Sequence, residues 1–262
     1  MLKQLLFLTF LLFVSLSSFT QIYSGHSHND YQQKKPLLDA LKYGYQSIEI
    51  DVWLHNNSLV VSHIKLGLNK KPTIDAQYLS PIIESIKKNR GKVYDNDSIP
   101  VTLMVELKNQ RDSAYHRLKE YIEPYKKYFC QWQGDSLIHK GVLTLLITGG
   151  APRNTILADS IRIATVDGGM GDTAQSISPV LVPRISEPWN KYFVWNGAGK
   201  MPKEELKTLN KLVAAVHKSG KTLRFYGAPD NYGVWKQLLN SGVDWINTNE
   251  LKPFAEYYKG RK

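Results

Sequence analysis

Glu49 and Asp51 stand one residue apart in Ser47-Ile48-Glu49-Ile50-Asp51-Val52, with His26 of Gly25-His26-Ser27-His28-Asn29-Asp30 before them and His63 of Val60-Val61-Ser62-His63 after them. A Glu-x-Asp pair on an extended strand places both carboxylates on one face, where converging oxygens suit a hard divalent cation. Flanking imidazoles suit proton transfer near neutral pH. Glu106 and Lys108 repeat the two-residue spacing in Val105-Glu106-Leu107-Lys108, so a third carboxylate and an ammonium share a strand face. Leu103, Val105 and Leu107 take the alternate positions, which turns the charged face inward if that strand belongs to a closed barrel. A lone histidine or a lone Glu-x-Asp is ordinary in any protein. The coincidence of all six residues at the ends of successive apolar runs carries the argument.

The elements that must position them alternate. Short β-branched or apolar runs at 22–25, 47–53, 101–107, 142–148, 161–165, 192–195, 222–226 and 245–247 are separated by stretches of helical period at 36–43, 78–88, 111–128, 203–218 and 232–239. Eight strands in this rhythm predict a (β/α)8 TIM barrel of α/β class, whose chemistry sits at the C-terminal strand ends. A ninth run at 58–62, after the turn signal Asn56-Asn57, is expected to pair with the second strand or extend beyond it. The turn-rich segment 152–189 reads as a long loop, and no repeat or linker divides the chain.

Residues 1–20 read as a cleaved secretory signal, with Lys3, an apolar run from Leu5 to Val14 and small residues beyond, which predicts an exported protein whose single domain spans 21–262. The lone Cys130 argues against disulfide and redox chemistry. A net charge of +11 favours anionic partners, but the lysines come in scattered pairs such as Lys34-Lys35 and Lys70-Lys71. That dispersal speaks against a nucleic-acid footprint. A phosphodiester small molecule or lipid head group, peripheral contact with an anionic membrane and a monomeric state are expected.

These motifs resemble the phosphatidylinositol-phospholipase-C-like phosphodiesterase superfamily, in particular glycerophosphodiester phosphodiesterases and spider-type phospholipase D enzymes. The resemblance spans nearly the whole chain after residue 20. Gly25-His26 is similar to the first catalytic motif, with Asn29 matching an Asn of the phospholipase D branch. Glu49, Asp51 and Glu106 match the metal ligands, His63 the second histidine and Lys108 the lysine. Leu223-Arg224-Phe225-Tyr226 and the segment 242–249 resemble the last two strands, with Tyr226 where a Trp is usual. The His26-Ser27-His28-Asn29-Asp30-Tyr31 opening is closest to the branch named for altered inheritance of mitochondria protein six. Ser27 replaces the phosphate-contacting Arg, a Pro-Glu-Asn segment is missing, and Ile64 follows His63 where Asp is typical. These departures touch head-group recognition more than the bond cleaved.

The resemblance implies one magnesium or calcium ion on Glu49, Asp51 and Glu106, charge stabilisation by Lys108 and acid/base exchange by His26 and His63. Attack by a substrate hydroxyl and direct hydrolysis both stay open. His28, Asn29, Arg224 and Tyr226 are expected to bind substrate, His28 either on the phosphate or as a structural hydrogen-bond partner. Tyr31, Trp53, Trp189 and Trp195 could wall the pocket, although core packing is the commoner role for any one aromatic residue. Two rival readings are an amidohydrolase-like site using His26 and His28 as metal ligands, and a non-catalytic barrel that binds anionic lipids or glycans.

Overall fold

The computed structural model describes residues 22–95 and 99–261, so the leader expected at 1–20 lies outside the described residues. Eleven strands run in chain order as β1 (Ile22–Ser27), β2 (Tyr45–His55), β3 (Ser58–Val61), β4 (Val101–Leu107), β5 (Gln131–Gln133), β6 (Ser136–His139), β7 (Leu143–Thr148), β8 (Ala164–Gly168), β9 (Arg184–Pro188), β10 (Thr222–Tyr226) and β11 (Trp245–Thr248). The helices are α1 (Leu38–Tyr43), α2 (Ser80–Lys88), α3 (Arg111–Ile122), α4 (Arg153–Leu157), α5 (Lys203–Lys218), α6 (Tyr232–Asn240) and α7 (Leu251–Lys259), joined by several short 3-10 segments. Parallel neighbours β1, β2, β4, β7, β8, β9, β10 and β11 form a ring that a β1–β2 pairing closes. The result is a closed eight-stranded parallel barrel with helices between its strands, as expected. β3 pairs antiparallel with β2 across a turn in which Asn56 and Asn57 both have positive φ, the geometry a two-residue hairpin favours.

Two-residue periodicity explains why this barrel has a polar interior. Ile48, Ile50 and Val52 of β2, Leu103, Val105 and Leu107 of β4, and Leu143, Leu145 and Ile147 of β7 pack outward into one continuous core beneath the helices. The alternate residues, Ser47, Glu49 and Asp51 on β2 and Thr102, Met104 and Glu106 on β4, therefore face the lumen. α5 shows why the helices dock: Leu209, Val213 and Val216 recur on one face and are buried, while Gly220 with φ of 73° lets the chain turn into β10.

Two strands differ from the sequence-based expectation. The fifth barrel strand, expected at 161–165, lies at Ala164–Gly168 because Ile161 is half exposed and Arg162 instead bridges to Trp132 beside the unexpected β5–β6 hairpin. That hairpin also holds His139. The sixth strand, expected at 192–195, is Arg184–Pro188. Its single large apolar residue, Ile185, gives a weak pattern. The aromatic run after it imitates a strand but packs as a cluster, with Trp189 and Phe193 rings 4.3 Å apart and both set against Phe225. Trp189 and Trp195 are accordingly buried core residues and not pocket walls.

Candidate active site

β2 and β4 run parallel with Asp51 opposite Glu106, so the two-residue spacing on each strand brings three carboxylates to one point above the lumen. One oxygen from each of Glu49, Asp51 and Glu106 lies within 4.8 Å of the others. Lys108, just past the end of β4, reaches Asp51 Oδ2 at 3.2 Å and Glu106 Oε1 at 3.0 Å. His63 Nδ1 is 3.0 Å from Asp51 Oδ2, and the Tyr31 hydroxyl is 2.8 Å from the same oxygen and 3.1 Å from that nitrogen. Asn29, held at φ of 45°, places its Oδ1 2.8 Å from the Tyr31 hydroxyl. Tyr31 thereby ties the loop after β1 to the carboxylate cluster.

The triad fits a divalent cation. Asp51 Oδ1 is buried without any hydrogen-bond partner, although buried carboxylate oxygens are rarely left unpaired. An oxygen-only donor set of this kind is what magnesium or calcium takes. Among the described residues, the group with metal-ligand spacing contains neither His26 nor His28, which corrects the amidohydrolase-like reading.

Charge balance separates Glu49 from Glu106. Burial alone would raise the Glu49 carboxyl, but the Arg224 guanidinium 3.0 Å away and His26 at 2.9 Å outweigh it and hold the pKa well below the usual carboxylate range. Glu106 shifts the other way, because burial and the neighbouring Asp51 charge outweigh Lys108. Lys108 loses hydration, yet Asp51 and Glu106 more than compensate and raise its pKa, so it stays an ammonium.

His26 occupies a different place from the one expected. Its ring is fully enclosed, with Nδ1 2.7 Å from Ser47 Oγ and Nε2 2.9 Å from Glu49 Oε2, and burial together with Arg224 pushes its pKa well below the usual imidazole value. The structure brings His28 instead to an open cavity of about 410 Å³, which is also lined by Asn29, Glu49, His63, Glu106, Arg224 and Tyr226. Arg224, expected on substrate, spends its guanidinium on Glu49 Oε2, Asn247 Oδ1 and the Met104 sulfur.

The opposite wall of the cavity was not anticipated. Asp167, at the end of β8, accepts hydrogen bonds from Thr148 and Ser186, and burial raises its pKa against the pull of Arg224 and Arg184. Gly149-Gly150 and Gly168-Gly169 complete that wall. A Cβ on Gly149 would meet Glu106 Cγ at 2.3 Å, so the backbone there must be bare for the third carboxylate to fit.

Comparison with known proteins agrees with this geometry. The family model described as AIM6-like phosphodiesterase domain matches residues 16–164, more than half of the chain. The Altered inheritance of mitochondria protein 6 homolog of Arthroderma benhamiae is 24% identical over 89% of this chain and 83% of its own. Altered inheritance of mitochondria protein 6 of Eremothecium gossypii is 26% identical over 88% and 68%. In fold, the chain is similar to a crystal structure of a glycerophosphodiester phosphodiesterase from Parabacteroides distasonis, with a TM-score of 0.56, 16% identity and coverage of 91% of this chain and 97% of that one. These fungal relatives, named for mitochondrial inheritance, overturn the expectation of export through a cleaved signal, which rested only on residues 1–20. A matched family model across the half of the barrel that bears the carboxylate triad, and relatives aligned over most of the chain's length, place this chain in the AIM6-like phosphodiesterase family.

Proposed function

We propose that this protein is a metal-dependent phosphoric diester hydrolase acting on a small phosphodiester or a lipid head group. The observation that carries the reading is the juxtaposition of three carboxylates, the unpaired Asp51 Oδ1 among them, with Lys108 and two cavity-lining imidazoles. Glu49, Asp51 and Glu106 would hold one magnesium or calcium ion, which supplies Lewis-acid polarisation of a phosphate oxygen when bound. Lys108 adds a fixed positive charge beside the site, where negative charge grows on the phosphoryl oxygens.

Each cavity imidazole has one nitrogen engaged and one free to exchange a proton. His63 Nδ1 is held by Asp51 and Tyr31, which leaves Nε2 to take the proton of the attacking oxygen, the resulting imidazolium lying beside the Asp51 carboxylate. His28 Nδ1 is 3.0 Å from Asn249 Oδ1, which leaves its Nε2 to return a proton to the departing alkoxide. His26 acts as a positioning residue that holds Glu49. Purified protein assayed with bis(p-nitrophenyl) phosphate, with and without chelator, tests the reading. Turnover that chelator abolishes and His63→Ala strongly reduces is expected; chelator-insensitive turnover, or none with added magnesium or calcium, would overturn it.

A further inference from the structure

The barrel rim beside His63 carries side chains that the fold leaves uncovered. The 62–71 loop is closed at its base by the Val61 N–H on the Pro72 carbonyl at 2.9 Å and by the Ser62 N–H on the Asp51 carbonyl at 3.1 Å. Leu68 turns inward and is 7% exposed, so the loop has its anchor. Ile64 and Leu66 point the other way, at 55% and 79% exposed, with no packing role in the barrel. Lys65, Lys70 and Lys71 are exposed around them, and stretch 62–74 holds no acidic residue. The neighbouring loop after β1, which bears exposed Lys34 and Lys35, meets this one at a cavity lined by Tyr31, Gln32, Ile64 and Lys71. Among the described residues none of these five lysines is in an ion pair.

Aliphatic side chains alternating with unpaired ammonium groups match one environment in particular. The head-group layer of an anionic bilayer takes apolar side chains into its acyl boundary and pairs lysines with phosphates and carboxylates. A nucleic acid would find no aromatic platform on this loop, and a stable protein partner needs about 800 Å² per side, more than a loop tip offers. No helix among the described residues is long and apolar enough to cross a membrane. We propose that the 62–71 loop is a docking element for an anionic lipid surface, seated so that the His63 side of the cavity faces the membrane. This inference goes beyond the phosphodiesterase reading and does not depend on turnover.

A polarity-sensitive dye on Leu66→Cys in the full chain tests it, because the signal reports this loop and not association through another segment. Cys130 is buried and stays unlabelled, and Leu137→Cys on β6, at the opposite end of the barrel, is the control. Vesicles of phosphatidylcholine with phosphatidylserine should blue-shift the dye at position 66 and leave the dye at 137 unchanged, with little response to phosphatidylcholine alone. Adding Lys65→Gln, Lys70→Gln and Lys71→Gln should weaken the response roughly a hundred-fold in lipid concentration, at about five-fold per lysine. No shift at 66, an equal shift at 137, insensitivity to the lysine substitutions, or a response to heparin without one to vesicles would overturn it.

Discussion

His26 Nε2 lies 2.9 Å from Glu49 Oε2 while Nδ1 of the same ring lies 2.7 Å from Ser47 Oγ, and Arg184 Nη1 donates to that hydroxyl oxygen at 2.9 Å. A ring held neutral by burial can complete this chain: the Ser47 hydroxyl donates to Nδ1 and Nε2–H donates to the Glu49 carboxylate. His26 thus orients one carboxylate of the triad, whereas His28, two residues on, lines the cavity. His26→Ala should lower divalent-metal affinity about 10- to 100-fold, the usual effect of losing such a supporting partner. His28→Ala should leave that affinity unchanged and lower kcat about 10²- to 10⁴-fold. Manganese titration beside steady-state kinetics separates the two, and the reverse pattern would exchange their roles.

Gly149 sits at φ of 71° with Glu106 Cγ where a Cβ would be. Gly149→Ala should therefore displace Glu106 and weaken metal binding at least about ten-fold, measured by the same titration. Gly171→Ala, where no atom lies within 4 Å, should change stability by less than about 0.5 kcal/mol and leave metal binding intact.

Asp30 is fully buried and accepts from the Ser27 hydroxyl at 2.7 Å, the Leu37 N–H at 2.5 Å and the Tyr78 hydroxyl at 2.9 Å. It pins Leu37, which has φ of 61° and packs in the core, and so sets the path of the loop that carries Asn29 and Tyr31. Asp30→Ala strands several buried donors and should cost about 3 kcal/mol in urea unfolding. A cost below about 1 kcal/mol would show that water satisfies those donors instead.

Asp172 receives both Arg153 Nη atoms, at 2.6 and 2.7 Å, and the Gly169 N–H at 2.9 Å. The Arg153 hydrogen bonds depress its pKa. A carboxyl whose folded pKa lies below its unfolded value stabilises the fold fully above the unfolded value, near pH 3.9, and loses that contribution as pH falls through the folded one. Solvent screening of the partly exposed Arg153 limits the contribution to about 1 kcal/mol. Asp172→Asn should thus be less stable than the parent near neutral pH, and the gap should close as pH falls from the unfolded value through the lower folded one. A gap that persists at low pH would point to packing instead of charge.

Much of the site was legible because a strand's side-chain period is two. Glu49 with Asp51, and Glu106 with Lys108, could each be placed on one face, and the apolar residues between them turned that face inward. Asp167 was missed through a three-residue error in its strand. The run 161–165 is as apolar as a strand needs, but Ile161 stays half exposed and Arg162 is drawn to the β5–β6 hairpin. Thr165 rather than Asp167 therefore stood at the expected strand end. Ser186 was lost with the displaced sixth strand, whose short pattern the aromatic cluster around Trp189 outcompeted.

The sequence by itself determined the barrel rhythm and the inward charged faces that carry Glu49, Asp51 and Glu106, because these follow from local periodicity and residue type. Which of His26 and His28 meets the cavity is a question of depth along the barrel axis, since His26 lies on β1 and His28 just past its end, two residues on. Only strand pairing answers it. Ser27 pairs with Ile48, so His26 falls at the level of Ser47 in the closed lumen and His28 falls one step higher, at the level of Glu49. The register is a relation between strands, set when the closing barrel packs Ile48, Ile50 and their neighbours against the helices, and no single run of residues contains it.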